Sequence, residues 1–407
     1  MDKILKDHKQ LGQELELFFT HEIAPGAPFW LPKGMIIFKE LEKYIRELTE
    51  KAGYLETSTP IMVKSELFKQ SGHWEKFGQH NMYNLQLSDE TDDSKPVSYS
   101  LKPMNCPEST IIYRFRPRSY KELPLRLSEI GRLHRREKSG EVNGLLRVRQ
   151  LTMDDAHIYA AEDQIFDEVS GILDMMMEFY KSLGFEYEFR LATRPDIRAG
   201  SDAGWDKAER KLTEALKKKG IKAGDKMGDG AFYGPKIDVH IKDSQGREWQ
   251  LATVQLDFHQ PEAFKLEYTD EKGQKVRPVM IHRAIFGSFE RFVAILTEHF
   301  QGAFPLWLSP IQVIIIPISD QNNEYAQNVL EQLNSSNIRV ELDNRPETMQ
   351  AKIRDSQLQK IPYMLIVGKK EEEIGQVSVR TRSGEKLALL SIEEFTKRIL
   401  HEIESKQ

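Results

Sequence analysis

The sequence predicts an α+β protein, in which an antiparallel sheet flanked by helices is followed by a smaller α/β domain. Short β-type runs crowd the middle of the chain, and helical patterns interrupt them only at residues 161–183 and 284–300. Strands in runs are typical of antiparallel sheets, whereas the strand–helix alternation after residue 308 is typical of a mostly parallel sheet. A chain of 407 residues is also longer than a domain with a single hydrophobic core usually is. We therefore expect two domains, at residues 1–308 and 309–407.

Periodicity predicts the individual elements in order. Residues 34–52 carry apolar side chains at helical spacing and predict a helix that ends at Gly53. The next strand pattern is broken at Pro60, and the polar run at 88–94 predicts a loop. Six further strand patterns begin at residues 96, 123, 144, 186, 236 and 248. In the C-terminal part, strand patterns at 307–320, 339–343, 362–368 and 376–384 alternate with helical patterns at 323–336, 347–359 and 391–405.

Composition limits the environment and the partners. The formal net charge is −5, so a nucleic-acid partner would have to use local basic patches. Cys106 is the single cysteine, which excludes an intrachain disulfide and favours a reducing compartment. Residues 1–19 lack the apolar core of a signal peptide, and the apolar run 311–318 is too short to cross a bilayer. We expect a cytoplasmic protein with no membrane partner.

Three residues form a candidate metal site. Cys106, His157 and His282 could supply a thiolate and two imidazoles, a ligand set that leaves the fourth position of a catalytic zinc open. The three residues lie far apart in the sequence, and no close ligand spacing connects them. A buried cysteine and two hydrogen-bonded core histidines is therefore the alternative that spacing alone leaves open.

Nine segments of the sequence resemble motifs of threonyl-tRNA synthetases, which are class II aminoacyl-tRNA synthetases, and they occur in the same order as in that family. They include uncommon words such as MNCP and AFYGPK, which makes the ordered combination specific. The segments are FWLPKG (29–34), SGHW (71–74), LKPMNCP (101–107), HRREKSG (134–140), RVRQLTMDDAHIY (147–159), RPDIRAGSDAGWDKAE (194–209), GAFYGPKI (230–237), TVQLDF (253–258) and VMIHRAIFGSFERF (279–292).

The resemblance implies the class II antiparallel sheet followed by an anticodon-binding domain at 309–407. The segment from Gly53 to Pro60 is similar to the first class II motif, which implies a homodimer. HRREKSG with RVR is similar to the second motif, and GSFERF to the third. Most family members carry an N-terminal ubiquitin-like domain and an editing domain. FWLPKG already begins at residue 29, so we expect neither of them in this sequence.

The resemblance also assigns roles in amino-acid activation, with ATP and Mg²⁺ as substrate. Arg135 would contact the α-phosphate and the amino-acid carboxylate, and Glu137 the adenine amino group. Arg147 would contact the γ-phosphate, and Arg291 would lie under the adenine ring. Guanidinium groups suit this work because they stay charged and bind phosphate bidentately. The alternative for all of these arginines is an ordinary surface charge.

For L-threonine, the resemblance implies recognition by one zinc ion per chain, held by Cys106, His157 and His282. Zinc would bind the amino group and the β-hydroxyl of threonine together. Valine has nearly the same shape but no hydroxyl, and an apolar pocket discriminates between two such amino acids only ~100-fold. Asp155 would accept the hydroxyl hydrogen. The remaining residues implied to line the amino-acid site are Met104, Tyr233 and Gln255.

For tRNA(Thr), the resemblance assigns a base and an anticodon surface. His73 matches a histidine that takes the proton of the terminal ribose 2′-hydroxyl, a role that suits an imidazole. The alternative is that His73 packs beside Trp74. Glu371 and Arg380 match residues that contact anticodon bases, although Glu371 could instead belong to the solvated run KKEEE. Lys352 and Arg382 would be backbone contacts.

Several positions depart from the family pattern. Leu151 stands where a phenylalanine stacks on adenine, Met153 replaces a glutamine near the amino acid, and Pro346 replaces an asparagine that contacts the anticodon. Glu108 and Ser109 replace the usual glycine and histidine after MNCP. An active threonine–tRNA ligase is the first hypothesis. A non-ligase paralogue that binds tRNA or threonine for regulation is the alternative, and an enzyme of the same fold that charges another amino acid or carrier is the third.

Overall fold

The computed structural model describes residues 5–88, 96–243 and 245–406, without the side chains of residues 76–79. Most of the loop predicted at 88–94 therefore lies outside the described residues. The helices α1–α13 are His8–Glu14, Pro32–Lys51, Glu66–Gln70, His73–Asn81, Cys106–Arg114, Ile165–Ser182, Asp202–Lys218, His259–Ala263, Phe289–His299, Asn323–Ser335, Met349–Leu358, Lys369–Ile374 and Ile392–Glu404. The strands β1–β20 are Phe18–Thr20, Pro28–Trp30, Leu55–Glu56, Met62–Lys64, Asn84–Leu87, Val97–Leu101, Leu125–His134, Gln150–Ala160, Tyr187–Ala192, Ala223–Lys226, Lys236–Lys242, Glu248–Asp257, Tyr268–Thr269, Lys275–Val276, Val279–Ala284, Val313–Pro317, Val340–Leu342, Tyr363–Val367, Gln376–Thr381 and Lys386–Ser391.

The chain divides into two compact units. The core unit comprises Thr20–Pro28 and Glu42–Phe292, and the terminal unit comprises Met1–Phe19, Phe29–Leu41 and Val293–Gln407. The division predicted between residues 308 and 309 stays a prediction. Along the described residues, no helix is long and apolar enough to cross a membrane.

The core unit is built on an eight-stranded sheet with the order β10-β9-β11-β12-β15-β8-β7-β3. The inner pairs are antiparallel, and only the end pairs β10–β9 and β3–β7 are parallel. This confirms the predicted antiparallel sheet with helices. β7 and β8 pair from Leu125 opposite Tyr159 to His134 opposite Gln150. Because side chains alternate across a strand, Leu151, Met153, Asp155 and His157 share one face of β8.

Buried charges on the other face of β8 fix its neighbours. Asp154 pairs with the fully buried Arg283 of β15, and it also accepts a hydrogen bond from the backbone N–H of Ile285 at 2.6 Å. Both carboxylate oxygens of Glu290 on α9 accept from the backbone N–H of Thr152, at 3.0 and 2.9 Å. Removing one partner of such a buried group is costly because it leaves an unpaired charge. These contacts therefore hold β8, β15 and the start of α9 in a defined register.

The terminal unit contains a five-stranded sheet with the order β17-β16-β18-β19-β20. β17, β16 and β18 are parallel, whereas β18–β19 and β19–β20 are antiparallel. The prediction of a mostly parallel sheet was therefore wrong for its second half. A parallel crossover needs a dozen or more residues, and the segments after β18 and β19 are shorter than that. The predicted helices at 323–336, 347–359 and 391–405 are α10, α11 and α13.

Candidate active site and metal centre

The structure brings Cys106, His157 and His282 together. His157 on β8 and His282 on β15 are directly opposite each other in the sheet, and Cys106 is the first residue of α5. All three are buried, and one ligand atom from each lies within 4.8 Å of the other two. A tetrahedral zinc with Zn–S about 2.3 Å and Zn–N about 2.0 Å needs separations below that limit. The donor set and its spacing therefore fit a zinc ion, with one position left for a substrate.

Burial shifts the pKa values of Cys106 and His157. Burial raises the pKa of the Cys106 thiol, as does the neighbouring charge of Asp155. Burial also lowers the pKa of His157, and the nearby His282 adds to that shift. A neutral imidazole is the form that binds a metal. The ring of Tyr233 stacks on His282 with 4.7 Å between the centroids and covers one side of the cluster.

Asp155 lies beside the triad and is oriented by Asn105. Asn105 Nδ2 donates to Asp155 Oδ2 at 2.9 Å, and Asn105 is fully buried. Burial raises the pKa of Asp155, whereas the hydrogen bond from Asn105 lowers it. Asn105 packs directly over Gly131 of β7, where a Cβ atom would come within 2.3 Å of Asn105 Oδ1. Glycine at 131 therefore provides the space in which Asn105 holds the carboxylate.

The other residues predicted to line the amino-acid site lie on neighbouring elements. Tyr233 Oη donates to Gln255 Oε1 at 2.5 Å, and Gln255 Nε2 donates to Thr253 Oγ1 at 3.2 Å. Gln255 of β12 is directly opposite His282 of β15. Met104 is partly buried and packs against the apolar cluster that contains Cys106. The structure thus gathers these polar groups around the triad.

The four residues predicted to bind ATP line one cleft, which has a cavity volume of about 260 Å³. Arg135 follows β7 and donates through Nε to the Pro103 carbonyl oxygen at 3.2 Å. Arg291 donates through Nε to the Leu146 carbonyl oxygen at 3.0 Å. Burial lowers the pKa of Arg291, and so do the nearby charges of Arg135 and Arg147. The cleft is therefore electropositive and suited to a polyanion.

Glu137 and Arg147 contact each other inside this cleft. Arg147 donates to Glu137 Oε2 from Nε at 3.0 Å and from its terminal nitrogen at 2.8 Å. Leu151 and Met153 form part of the apolar wall and pack with Leu133 in a small cluster. The cleft and the metal triad are thus served by one face of β8, with Leu151 and Met153 at one end and Asp155 and His157 at the other.

His73 is the first residue of α4 and is fully buried. Its Nε2 lies 3.4 Å from Cys106 Sγ, and its Nδ1 lies 2.8 Å from Ser71 Oγ. Burial lowers the pKa of His73 to about 3. Its ring contacts the ring of Phe232 edge to face, with 5.3 Å between the two centroids. His73 is therefore a neutral imidazole beside the triad.

The predicted anticodon residues lie in the terminal unit, where α12 packs against β19. Glu371 Oε2 accepts from the Gly368 N–H at 3.1 Å and so caps α12. Within the described part of the chain, Arg380 Nε on β19 is buried without a hydrogen-bond partner. Arg382 donates to the Phe304 carbonyl oxygen at 2.7 Å, and Lys352 is 5% exposed. These last two side chains therefore carry internal contacts, and Pro346 is exposed.

Sequence reasoning gave no role to four residues that the structure brings to the site. Asn105, Gly131, Asp257 and Gln260 all touch a predicted site residue or its partner. Asn105 stands inside MNCP and Asp257 inside TVQLDF, so two of the motifs already contained them. Their contacts link strands that are distant in sequence, and one sequence carries no signal for such contacts.

Comparisons with known proteins agree with this geometry. Residues 85–300, more than half of the chain, match the tRNA synthetase class II core domain (G, H, P, S and T), and residues 312–402 match the anticodon binding domain. The threonine–tRNA ligase of Caldanaerobacter subterraneus subsp. tengcongensis is 50% identical over 401 residues, which is 98% of this chain and 61% of that protein. The threonine–tRNA ligase of Carboxydothermus hydrogenoformans is 49% identical over 402 residues, or 99% of this chain and 62% of that protein.

A solved structure matches over a similar extent. The RNA binding domain of threonyl-tRNA synthetase from Cryptosporidium parvum Iowa II superposes with a TM-score of 0.92 and 38% sequence identity, covering 97% of this chain and 98% of that one. The chain thus spans less than two thirds of the length of these curated relatives but nearly all of this solved domain. With the class II core, the anticodon-binding domain and the ordered motifs in place, the chain belongs to the threonyl-tRNA synthetase family of class II aminoacyl-tRNA synthetases.

Proposed function

We propose that this chain ligates L-threonine to tRNA(Thr) through a threonyl-adenylate. The observation that carries the proposal is the shared face of β8. Leu151 and Met153 line the electropositive cleft, and Asp155 and His157 on the same face reach the buried triad. A nucleotide in the cleft and an amino acid at the triad would therefore meet along one strand.

Activation joins the threonine carboxylate to the α-phosphorus of ATP and releases pyrophosphate. Arg135 and Arg291 stabilise the negative charge that grows on the phosphate oxygens, because their guanidinium groups are already held by carbonyl oxygens. Glu137 and Arg147, paired in the free chain, exchange that contact for the adenine amino group and the γ-phosphate. Mg²⁺ enters with ATP.

Threonine selection rests on Asp155 and the residues around the triad. Cys106, His157 and His282 would hold zinc, which supplies a Lewis acid for the amino group and the β-hydroxyl. Asp155, held by Asn105, accepts the hydroxyl hydrogen. The rest of the amino-acid site is lined by Tyr233, Gln255 and Met104. A site built to bind a hydroxyl rejects the analogue without it far more strongly than an apolar pocket does.

Transfer to tRNA uses His73 and the terminal unit. His73 takes the proton of the ribose 2′-hydroxyl, a role that its place beside the triad supports, with Nε2 3.4 Å from Cys106 Sγ. Burial and a pKa of about 3 make it a weak base in the free chain, so the role requires tRNA binding to change its surroundings. Glu371 and Arg380 contact anticodon bases, which requires Glu371 to leave or share its bond to Gly368. Bases splayed from a loop are read in this way, on their Watson–Crick edges.

We also propose a homodimer through the segment from Gly53 to Pro60. β3 is an edge strand of the eight-stranded sheet, so its outer hydrogen-bonding groups can accept a partner. Leu55 on this strand is 59% exposed, and Ile61 and Met62 are 41% and 47% exposed. Light scattering after gel filtration tests this. A monomer at micromolar concentration would contradict it.

Threonine-dependent exchange between ATP and pyrophosphate separates this function from its alternative. The alternative is a non-ligase paralogue that binds tRNA or threonine for regulation, and Leu151, Met153 and Pro346 favour it. We expect exchange with threonine, weaker exchange with serine, and charging of tRNA(Thr). Binding of threonine or tRNA without any exchange would support the paralogue instead.

A further inference from the structure

Asp257 at the end of β12 is fully buried and is fixed by several hydrogen bonds. Its Oδ1 accepts from the backbone N–H groups of His259 at 2.7 Å and Gln260 at 2.9 Å. Its Oδ2 accepts from Gln260 Nε2 at 3.0 Å and lies 2.9 Å from His282 Nε2. An ionised carboxylate only accepts, so His282 Nε2 carries its hydrogen and Nδ1 keeps the lone pair that a metal requires.

Gln260 holds the same carboxylate. It is fully buried, and its Nε2 donates to Asp257 Oδ2 at 3.0 Å. Its backbone N–H also donates to Asp257 Oδ1 at 2.9 Å. Gln260 therefore fixes the position of the carboxylate that faces His282.

We propose that Asp257 is a positioning residue that holds His282 in the tautomer that binds the metal ion, and that Gln260 supports it through its bond to Asp257. The inference rests on the proposed zinc site and extends it. A carboxylate behind a metal-binding imidazole fixes its tautomer and ring orientation, and losing such a partner typically weakens metal affinity about 10- to 100-fold. The alternative is that Asp257 only caps α8 through its two backbone contacts, in which case its loss would reduce stability without changing metal affinity.

Asp257→Asn distinguishes these roles because it keeps size and shape. The two backbone N–H groups require an oxygen at the Oδ1 position, so the new amide nitrogen must face His282. That nitrogen donates, and His282 would have to accept through Nε2 and move its hydrogen to Nδ1. The nitrogen meant for the metal would then be blocked.

Asp243→Asn is the matched control. Asp243 is also buried, at 5% exposure, and its Oδ1 accepts from the backbone N–H groups of Gln245 and Arg247 at 2.9 Å each. Its Oδ2 accepts from Trp249 Nε1 at 2.8 Å. Asp243 accepts hydrogen bonds in the same kind of turn, and in the described part of the chain its side chain contacts no residue of the triad.

The test is zinc affinity, measured on the full 407-residue chain after zinc is removed and returned against a chromogenic chelator. We expect Asp257→Asn to weaken zinc binding about 10- to 100-fold and Gln260→Leu about tenfold, with Asp243→Asn unchanged. Wild-type affinity in a folded Asp257→Asn would overturn the proposal. If that variant does not fold, Gln260→Leu decides in its place, and wild-type affinity there would overturn the proposal equally.

Cobalt(II) in place of zinc adds a spectroscopic readout. The thiolate-to-cobalt absorption reports Cys106, and the ligand-field bands report loss of His282 in Asp257→Asn. Unchanged bands would support a capping role alone and contradict the proposal. A wild-type chain that binds zinc but shows no threonine-dependent exchange would overturn the proposed function and leave this inference intact. A wild-type chain that binds no zinc would overturn both.

Discussion

Gly131→Ala tests how the proposed site for the threonine hydroxyl is held. Gly131 on β7 faces Asn105, and an added Cβ would lie 2.3 Å from Asn105 Oδ1, 2.6 Å from Nδ2 and 2.7 Å from Cγ. Asn105 is fully buried and cannot swing into solvent. One methyl group at 131 must therefore displace Asn105 and lengthen its 2.9 Å bond to Asp155.

The magnitude follows from two terms. Overpacking in a close-packed interior costs about 1–3 kcal/mol in the free energy of unfolding. A hydrogen bond to a charged group contributes about 1.5–3 kcal/mol. If Asp155 loses that restraint, kcat/KM for threonine activation is expected to fall about 10- to 100-fold, since about 1.36 kcal/mol corresponds to a factor of ten.

Urea unfolding and threonine-dependent pyrophosphate exchange measure the two effects. Gly171→Ala is the matched control, because Gly171 lies within α6 and nothing occurs within 4 Å of its added Cβ. It is expected to stabilise the chain by about 0.5–1 kcal/mol without changing exchange. Adding Asn105→Ala to Gly131→Ala should remove the steric overlap but leave exchange low, because Asp155 then lacks its bond from Asn105. Wild-type exchange by Gly131→Ala would refute the positioning of Asp155 by Asn105.

Three further outcomes are expected. Glu108 is buried with its pKa raised from 4.5 to about 8, so the folded chain holds a proton on this carboxyl between these values. The contribution of Glu108 to stability therefore falls as pH rises through them, by about 1.4 kcal/mol per unit at most. The gain in stability from Glu108→Gln in urea unfolding should grow over the same window, and a constant difference would contradict it. Serine keeps both groups that zinc would bind, so the purified chain alone should form seryl-tRNA, and undetectable product at saturating serine would contradict this expectation. Arg380→Ala should raise KM for tRNA about tenfold or more while exchange stays unchanged, and an unaltered KM would remove Arg380 from the anticodon surface.

Local patterns predicted most elements of the fold. The helix expected at 34–52 is α2, and the strand pattern broken at Pro60 became β3 and β4, which pair with different strands. Periodicity did not give strand direction. β18 and β19 are joined through the short α12, and that connection length sets their antiparallel pairing. The polarity of a strand pair depends on such connections more than on the strands themselves.

The site was predictable only in part. The spacing of Cys106, His157 and His282 along the sequence does not indicate a shared site, since His157 and His282 meet only through the register of the sheet. The three residues could be grouped only through the ordered motifs and the family resemblance. The contact between Asn105 and Gly131 depends on the absence of a side chain on β7, which no polar or apolar pattern records.

Discrimination between threonine and valine tests the central claim most directly. The measurement is the ratio of kcat/KM values for the two amino acids in ATP–pyrophosphate exchange by the zinc-loaded chain. A pocket that binds the β-hydroxyl through a metal and Asp155 should give a threonine-to-valine ratio of about 10⁴ or more. A ratio of about 10² or less is what an apolar pocket delivers, and it would contradict recognition of the hydroxyl at this triad.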